Sequence, residues 1–332
     1  MNHVRLASIS DINKIMEFIN YNWKENHILA KDKSFFMYEH QDNNTINYVI
    51  SLEDNKINGV LGFIKYSDNN SDIATVIWKT LKSAASPMLG IELLEFLRNH
   101  KEYNVVFSPG INKKTIGVYN YLGIYTGHFF QYIIINNNIE NFNILKIKKN
   151  NTLKKINFIE DSQYQLIELK KISFDFDFNK NKLIPHKDKN YFVKRYFNHP
   201  IYRYKTYGVY VGDLLTSLIV TREVGVAGGS SILRIMDYIG DENDIVYISK
   251  YLYQIVIDKG YEYIDFMCYG FNEETLSKAG FKKINLESEE IIAPNYFSPF
   301  IRENIKINFM ADTKEIDKLR ICRADGDQDR PS

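Results

Sequence analysis

One order of structural elements occurs twice in this 332-residue chain, and that duplication restricts the fold more than any other feature of the sequence. A short strand candidate ends near Ser108 and is followed by Asn112, a stretch of helical periodicity, and Gly123. The same order returns at Asn272, where a helix candidate ends at Gly280. Glycine just past the last helical residue is typical of a helix C-terminus. The repeated order predicts two related α/β domains in one chain.

The two copies differ at one position that matters for chemistry. Tyr119 stands four residues before the glycine of the first copy, and Leu276 stands four residues before the glycine of the second. A tyrosine hydroxyl can give a proton to a leaving group, whereas leucine has none to give. The first half could therefore perform a step that the second cannot. The structural alternative is that Tyr119 is a core aromatic on the buried face of its helix.

Length and composition limit the number of domains and the kinds of partner that this chain can have. Two domains are the expectation for this length, and 45% hydrophobic residues can fill two cores. A formal net charge of +1 without dense basic runs argues against a nucleic-acid partner. The sequence shows no signal-peptide pattern and no apolar run of membrane length, so we expect a cytoplasmic protein without a membrane partner. Two cysteines are too few for a zinc cluster, and we expect no metal.

The order of predicted elements also gives domain boundaries. The first domain is expected at residues 1–145, with a strand at 129–136 that closes its sheet. The second is expected at residues 146–312, with closing strands within 291–310. Residues 313–332 are polar and lack periodicity, and we expect a disordered tail there.

A candidate phosphate-binding loop opens the helix that follows the central strand of the first half. Residues 85–90 are Ala-Ser-Pro-Met-Leu-Gly, and Ile91 and paired leucines follow. The N–H groups of a helix N-terminus form a ready site for phosphate. The matching loop of the second half, residues 240–244, carries three carboxylates, which repel an anionic ligand. The structural alternative for the first loop is an ordinary Ser-Pro helix start.

Together these motifs resemble the GNAT acyltransferases. Residues 1–312 are similar to a tandem GNAT N-acyltransferase of bacterial surface-glycan gene clusters. Four stretches carry this resemblance: 23–32, the helix start Pro87-Met88-Leu89-Gly90, 112–124 and 295–297. The resemblance implies a mixed-sheet α/β GNAT fold in both halves, with the second domain degenerate. It also implies that the first half binds acyl-CoA as a co-substrate.

The resemblance further implies roles for individual residues of a donor site. Tyr119 would stand beside the acyl-CoA sulfur and protonate the departing thiolate, and a main-chain amide near Leu81 to Ser83 would stabilise the oxyanion. Asn112 and Thr115 would bind the pantetheine arm or cap the helix. The full set of acyl-CoA-binding candidates is Leu81, Ser83, Met88, Leu89, Gly90, Ile91, Asn112, Thr115 and Tyr119. Ala85 and Met88 depart from the GNAT pattern, which has a polar residue and a glycine at those positions.

An acceptor amine must also lose a proton. His27 is the candidate catalytic base because imidazole titrates near neutral pH; the alternatives are a surface histidine and direct loss of the proton to water. The substrate-binding candidates are Trp23, His27, Trp78 and Lys79 in the first half, and Arg222, Arg234, Asp237, Asn295 and Tyr296 in the second. For the second group, the alternative is a network of paired charges that fixes the interface between the domains.

The function implied by the resemblance is N-acyl transfer in O-antigen or capsule biosynthesis. An acetyl or hydroxyacyl group would move from acyl-CoA to the amino group of a nucleotide-linked deoxyamino sugar, such as a dTDP-3-amino-3,6-dideoxyhexose, in a protein that could form a homodimer. Two rivals stay open. One is a GNAT enzyme with a protein or another small amine as acceptor, and the other is a CoA-binding protein without turnover.

Overall fold

A computed structural model describes residues 3–68, 72–84, 86–100, 102–148, 156–170, 174–180, 182–326 and 330–331. Its long strands form two mixed sheets, and helices pack against both sheets. Within these ranges, none of the helices is long and apolar enough to cross a bilayer.

The strands range from two residues in β2 to twelve in β12. In chain order they are β1 (His3–Ser8), β2 (Gln41–Asp42), β3 (Thr45–Glu53), β4 (Lys56–Lys65), β5 (Asp72–Thr80), β6 (Val105–Ile111), β7 (Tyr125–His128), β8 (Phe130–Ile135), β9 (Lys146–Ile147), β10 (Tyr164–Glu168), β11 (Lys205–Val211), β12 (Leu214–Gly225), β13 (Ser231–Gly240), β14 (Tyr263–Tyr269), β15 (Lys282–Lys283), β16 (Ile291–Ile292), β17 (Tyr296–Phe297), β18 (Phe300–Ile301), β19 (Asn308–Asp312) and β20 (Ile321–Cys322). The helices are α1 (Ile12–Asn22), α2 (Ile28–Lys31), α3 (Lys33–His40), α4 (Leu89–His100), α5 (Ile116–Tyr121), α6 (Lys189–Phe192), α7 (Asp244–Lys259) and α8 (Glu273–Lys278).

The first sheet has the strand order β1-β3-β4-β5-β6-β19-β7, with β2 on the end of β3. Successive side chains of a strand point to opposite faces. Tyr48 and Ile50 of β3 therefore pack on the side of α1 and α3, whereas Val49 packs on the side of α4 and α5. These two apolar faces place α1–α3 and α4–α5 on opposite sides of one sheet.

The second sheet has the order β10-β11-β12-β13-β14-β8-β15. Helices α7 and α8 bury Leu252, Val256 and Leu276 in one core with residues of β13 and β14. Each sheet thus contains one parallel pair at its centre, β5 with β6 in the first and β13 with β14 in the second.

The two halves exchange a strand. The segment expected to close the first sheet forms β8, which pairs with β14 of the second sheet. In return β19, from the end of the second half, lies between β6 and β7 of the first sheet. A boundary near residue 145 therefore does not separate the two sheets. The apolar pattern of a strand is the same whichever sheet accepts it, so periodicity could not reveal the exchange.

The expectation of a disordered tail is wrong for the described residues beyond Asp312. Strand β20 pairs with the end of β14, with Cys322 opposite Cys268, and Arg323 and Asp325 are buried. This segment is polar, but its charges find counter-ions in the second half. Charged groups can be buried when paired and hydrogen-bonded, and a polar pattern alone does not distinguish that case from disorder.

The central pairs of the two sheets diverge in the same way. Strand β5 pairs with β6 only through its first three residues, Asp72 to Ala74. Strand β13 likewise pairs with β14 only from Leu233 to Ile235. In the second sheet β20 lies on the open side of β14 and contacts β13, so the chain itself fills this gap. In the first sheet the one hydrogen bond among described residues that crosses the gap joins the Ser108 hydroxyl to the Thr75 carbonyl, at 3.4 Å.

Substitution of Gly270 tests whether the C-terminal segment fills this gap. Gly270 has φ +86°, and a Cβ atom there would lie 2.0 Å from the Leu319 carbonyl oxygen. Gly260 has φ +66° and open space around its Cα. We expect Gly260→Ala to lose about 1 kcal/mol of unfolding free energy from backbone strain alone. Gly270→Ala should lose about 1–3 kcal/mol more from overpacking, measured by urea denaturation. Equal losses in the two variants would contradict the docking of residues 319–322.

Candidate active site

A β-bulge in β5 lies at the gap of the first sheet. Trp78 is opposite Leu61 and Thr75 is opposite Phe63, so Gly62 alone faces two residues, Val76 and Ile77. Val76 and Ile77 both line one cavity on the α1–α3 side, although consecutive residues of a regular strand point to opposite faces. A bulge leaves main-chain groups without ladder partners. Because β5 pairs with β6 only as far as Ala74, the main-chain amides of β5 that point toward β6 beyond this residue can donate to a ligand in the gap.

Tyr119 lies on the other face of the same sheet, beside the bulge strand. It is 2% exposed, and its ring centroid is 5.8 Å from that of Trp78. Within the described residues, its hydroxyl has no hydrogen-bond partner. Burial raises the pKa of Tyr119, which keeps the phenol protonated at neutral pH. The ring is a core aromatic, as the structural alternative expects, and the hydroxyl is still available as a proton donor.

The residues around Tyr119 explain its position. The Asn112 side chain accepts a hydrogen bond of 2.9 Å from the Lys114 N–H, and the Thr115 hydroxyl donates to the Asn112 carbonyl at 2.7 Å. Gly123 closes the helix at φ +73°. Asn112 and Thr115 therefore cap the helix that carries Tyr119, which is one of the two roles expected for them.

The second copy of the motif has the same local structure. The Asn272 side chain accepts hydrogen bonds from the N–H groups of Glu274 and Thr275, at 2.8 and 3.1 Å. Gly280 closes this helix at φ +88°, and Leu276 is fully buried. The two motifs thus differ in the side chain presented beside the central strands, as the sequence suggests.

The loop before α4 is only partly as expected. The Ser86 hydroxyl accepts from the Met88 N–H at 3.3 Å and also bonds the Glu92 carboxylate. Gly90 packs against Trp78, since a Cβ there would lie 3.4 Å from the indole ring. Leu89 is buried, whereas Met88 is exposed and Ile91 is half-buried. Ala85 lies outside the described residues. This loop is an ordinary serine-capped helix start that leaves its first turn facing the end of β5.

The oxyanion donor expected near residues 81–83 needs correction. The Leu81 N–H donates to the Asn58 carbonyl at 2.8 Å, so it is not available to a ligand. Ser83 is an exposed turn residue beyond the end of β5. The bulge at Val76 and Ile77 is the better donor position because it adjoins the gap.

The loops that follow the central strands have opposite charge in the two halves. Because parallel strands end at the same edge of a sheet, the loops after β5 and β6 lie together, as do those after β13 and β14. In the first half these loops and the first turns of the helices carry Lys82, Lys113 and Lys114 against Glu92, and in the second half they carry Asp241, Glu242, Asp244, Glu273 and Glu274. Arg320 offsets one of the acidic charges, at 2.8 Å from Glu242. A polyanionic ligand is therefore favoured at the first half and repelled at the second.

A cavity of about 200 Å³ lies on the α1–α3 side of the bulge. Its walls come from the segment between α1 and α3, from the bulge, and from the C-terminal segment. The lining residues are Trp23, Lys24, His27, Leu29, Phe35, Glu39, His40, Ile64, Val76, Ile77, Arg330 and Pro331. Of the expected acceptor residues, the structure thus brings Trp23 and His27 to the bulge.

Three titratable side chains in this cavity could bind or deprotonate an amine. His27 caps α2, with Nδ1 accepting from the Leu29 N–H at 3.2 Å, and burial together with Lys24 lowers its pKa. Burial lowers the pKa of His40 to about 4, so this imidazole is neutral at pH 7. Burial disfavours the Glu39 carboxylate, but the charges of Arg330 and nearby cations outweigh burial and lower its pKa.

A larger groove of about 510 Å³ adjoins this cavity and shares Glu39, Ile64 and Arg330 with it. Its far wall comes from the second half. That wall consists of Asp188, Asn190, Tyr191, Lys194 and Arg195. It docks on the first sheet, where the Asp188 N–H donates to the Tyr66 carbonyl at 3.1 Å. Two cations and several polar groups therefore face the small cavity across the groove.

The second-half residues expected at the acceptor site do not line either cavity. The Arg234 Nε atom lies 3.2 Å from Asp265, and Asp237 accepts from the Lys187 ammonium at 2.6 Å. The Asn295 side chain accepts from Arg323 at 2.8 Å. These groups are buried and form the network of paired charges that was the alternative reading.

The remaining candidates are Arg222 and Tyr296 in the second half, and Trp78 and Lys79 on opposite faces of the first sheet. Arg222 lies over the Tyr202 ring at 4.1 Å, and Tyr296 belongs to the short hairpin of β17 and β18. Trp78 lies on the Tyr119 side of the sheet, and alternation places Lys79 on the cavity side. Trp78 is thus a residue of the Tyr119 face, and Arg222 and Tyr296 line neither of the two cavities.

One buried cluster has the composition of a metal site. Ligand atoms of Asp237, Cys322 and Asp325 lie within 4.8 Å of one another. The Lys187 ammonium, however, is 2.6 Å from Asp237 and 2.8 Å from Asp325, and it supplies the positive charge that an ion would bring. The expectation of no metal stays a prediction.

Glu39, the bulge and the 188–195 wall were not among the residues that the sequence predicts at a site. A carboxylate at the end of an amphipathic helix looks like any surface residue, so Glu39 gave no signal. Gly62 lies opposite the bulge, and a Cβ atom there would be 2.8 Å from the Tyr48 ring and 2.9 Å from the Val76 side chain. Only glycine fits between these two side chains. A glycine inside a strand is a known sign of a bulge or a close approach, and this signal was present in the sequence.

Comparisons of the sequence with protein-family models and with curated proteins find no match. Comparison with solved structures finds similar folds. A GCN5-related N-acetyltransferase from Anabaena variabilis aligns with a TM-score of 0.56 at 10% identity, over 94% of this chain and 72% of that protein. A conserved protein of unknown function from Enterococcus faecalis, a probable N-acyltransferase, aligns with a TM-score of 0.55 at 9% identity, over 95% and 73%. At these identities the likeness shows the fold alone, and the predicted mixed α/β GNAT fold is confirmed.

Proposed function

We propose that this chain is an acyl-CoA-dependent N-acyltransferase whose first half holds the donor. The observation that carries the proposal is the open gap between β5 and β6, with a bulge on one strand and the Tyr119 hydroxyl on the adjoining face. The equivalent gap of the second half is filled by β20. Lys82, Lys113 and Lys114 at the loops of the first half support binding of the CoA phosphates, because they outnumber the one carboxylate there, Glu92, and opposite charges attract.

The chemistry assigned to the chain is direct attack of an amine on the thioester carbonyl. The amine nitrogen forms the new C–N bond, and a bulge amide stabilises the oxyanion of the tetrahedral intermediate. The C–S bond then breaks with its electron pair on sulfur, and the Tyr119 hydroxyl gives its proton to that thiolate. His27 takes the proton that the amine loses at Nδ1, once that nitrogen separates from the Leu29 N–H, and solvent returns a proton to Tyr119. An amide and free CoA are the products.

The proposed acceptor is the amino group of a nucleotide-linked deoxyamino sugar, such as a dTDP-3-amino-3,6-dideoxyhexose. The cavity of about 200 Å³ would receive the aminosugar, and the adjoining groove of about 510 Å³ the nucleotide. Lys194 and Arg195 support a diphosphate there, since guanidinium and ammonium groups are the usual phosphate partners in proteins.

Binding of CoA tests the donor half of the proposal without turnover. The chain has two tryptophans, Trp23 and Trp78, and Trp23 is 47% exposed. In a Trp23→Phe variant, Trp78 beside Tyr119 should report CoA as a fluorescence change that saturates at one CoA per chain. The matched variant Trp78→Phe, with Trp23 alone, should change much less. Two CoA per chain would contradict a filled second gap, and no binding would contradict the donor site.

Replacement of the Tyr119 hydroxyl tests the proton donor. Thiol release from acetyl-CoA would be measured with a panel of dTDP- and UDP-linked amino sugars. Tyr119→Phe should lower kcat by about 10²-fold, within the range of general acids, because the thiolate must leave unprotonated. Unfolding free energy should hardly change, since the hydroxyl has no protein partner among the described residues. Tyr121→Phe, in the same helix and 85% exposed, is the control. Unchanged turnover in Tyr119→Phe would remove Tyr119 from the mechanism.

The pH profile tests His27 as the base. Burial and Lys24 lower the pKa of His27 below its usual 6.5. The imidazole is therefore neutral at pH 7 and becomes protonated only when the pH falls below this lowered pKa. A base must be neutral to accept a proton, so kcat/KM should fall on the acid side. This limb should disappear in His27→Gln, while Glu39, His40 and Arg330 still face the same cavity. A limb that persists unchanged would assign the proton to another group.

A further inference from the structure

The small cavity contains a carboxylate to which neither the sequence nor the proposed mechanism has given a role. Glu39 lies near the end of α3 and lines the cavity together with the bulge residues Val76 and Ile77. Its side chain is 8% exposed. Among the described residues that line the cavity, it is the only acidic one. An unpaired carboxylate in such a position is costly by several kcal/mol, so the cavity must supply a cation.

The chain supplies that cation from its C-terminal segment. The Arg330 guanidinium forms an ion pair with the Glu39 carboxylate, and the two residues are 291 positions apart. Arg330 and Pro331 line the cavity together with His27 and the bulge. Arg330 belongs to no helix or strand, so the guanidinium can move without breaking a main-chain ladder. The pair therefore joins a carboxylate on α3 to a cation from the C-terminal segment.

The position of this pair matches what an acceptor amine requires. A nucleophile for a thioester at the bulge must approach from the α1–α3 side, because Tyr119 and α4 cover the other face. Before it reacts, an amine at neutral pH carries a proton and a positive charge. Of the described residues that line the small cavity, Glu39 alone offers the amine a carboxylate. A cavity of about 200 Å³ holds one small group beside that carboxylate, so an incoming ammonium and the Arg330 guanidinium compete for the same oxygens.

We propose that Glu39 binds the ammonium group of the acceptor, and that Arg330 is an internal stand-in for this ammonium when the site is empty. The inference rests on the proposed amine acylation and names its amine-binding residue. Glu39 would hold the ammonium until a neighbouring base removes its proton. Displacement of Arg330 frees the guanidinium for the adjoining groove, which Arg330 also lines.

A kinetic double-mutant cycle tests the competition. Glu39→Gln should raise the KM for the acceptor by about 10²-fold, because a neutral amide attracts ammonium weakly. Arg330→Gln should lower that KM by about 10-fold, since the acceptor no longer displaces a resident cation. The KM for acyl-CoA should not change in either variant. In the Glu39→Gln background, Arg330→Gln should have no further effect, and a full additive effect would contradict the shared contact. Lys318→Gln, an exposed C-terminal cation paired with Glu315, is the control.

A binding measurement separates this inference from the proposed reaction. Propylammonium chloride at pH 7 should raise the Tm of Arg330→Gln at concentrations that leave the wild type unchanged. It should not raise the Tm of the Glu39→Gln/Arg330→Gln double variant. Tetramethylammonium, which has no N–H donor, should stabilise none of them. This result can hold even if no acyl transfer is found, in which case the proposed function fails and the amine site stands.

Two outcomes would overturn the inference. One is equal stabilisation of the wild type and Arg330→Gln by propylammonium with equal acceptor KM, which would mean that no cation is displaced. The other is a raised acceptor KM in Arg330→Gln, which would make the pair a part of the binding wall. If Arg330→Gln does not fold, Arg330→Lys keeps the charge on a single nitrogen. The acceptor KM of that variant should then fall between those expected for the wild type and for Arg330→Gln, and an increase would count against the inference.

Discussion

A buried set of ion pairs around the C-terminal segment determines the architecture of this protein. Lys187 lies between Asp237 and Asp325, and Asp265 accepts from both Arg234 and Arg323. Three cations thus balance three carboxylates where the last strands meet β13 and β14. Buried charges are unfavourable unless each has its partner, so the segment cannot leave the gap without exposing the remaining charges to an apolar surrounding. The fold of the second half therefore includes the end of the chain as a structural part.

This network makes the two halves chemically different although their topology is the same. Both have a parallel central pair that diverges after three residues, and both follow it with an Asn-capped helix closed by glycine. In one half the gap stays open beside a tyrosine and lysine-bearing loops. In the other it holds β20 beside a leucine and acidic loops. The open gap and the lysine-bearing loops favour a polyanionic ligand at the first half, whereas the filled gap and the acidic loops oppose one at the second.

The sequence predicted the repeated local structure well because that structure depends on short-range rules. An asparagine cap, helical periodicity and a closing glycine specify the Tyr119 helix within a dozen residues. The sequence could not predict which sheet accepts β8 or β19, since the alternation of apolar residues in a strand does not identify its partner strands. It also predicted disorder for a polar segment that ion pairs from distant residues bury. Glu39 became visible only when the fold brought α3, the bulge of β5 and Arg330 to one cavity.

The exchange of strands and the C-terminal segment have a common consequence for function. The first sheet needs β19 beside β6, and the second needs β8 beside β14, so neither sheet is complete when the chain is divided near residue 145. The segment that follows β19 then crosses back to fill the gap of the second sheet before Arg330 reaches the cavity of the first. Any movement of Arg330 is therefore limited by the ion pairs that hold Arg323 and Asp325 a few residues earlier. The second half can thus set the position of a charge in the small cavity of the first.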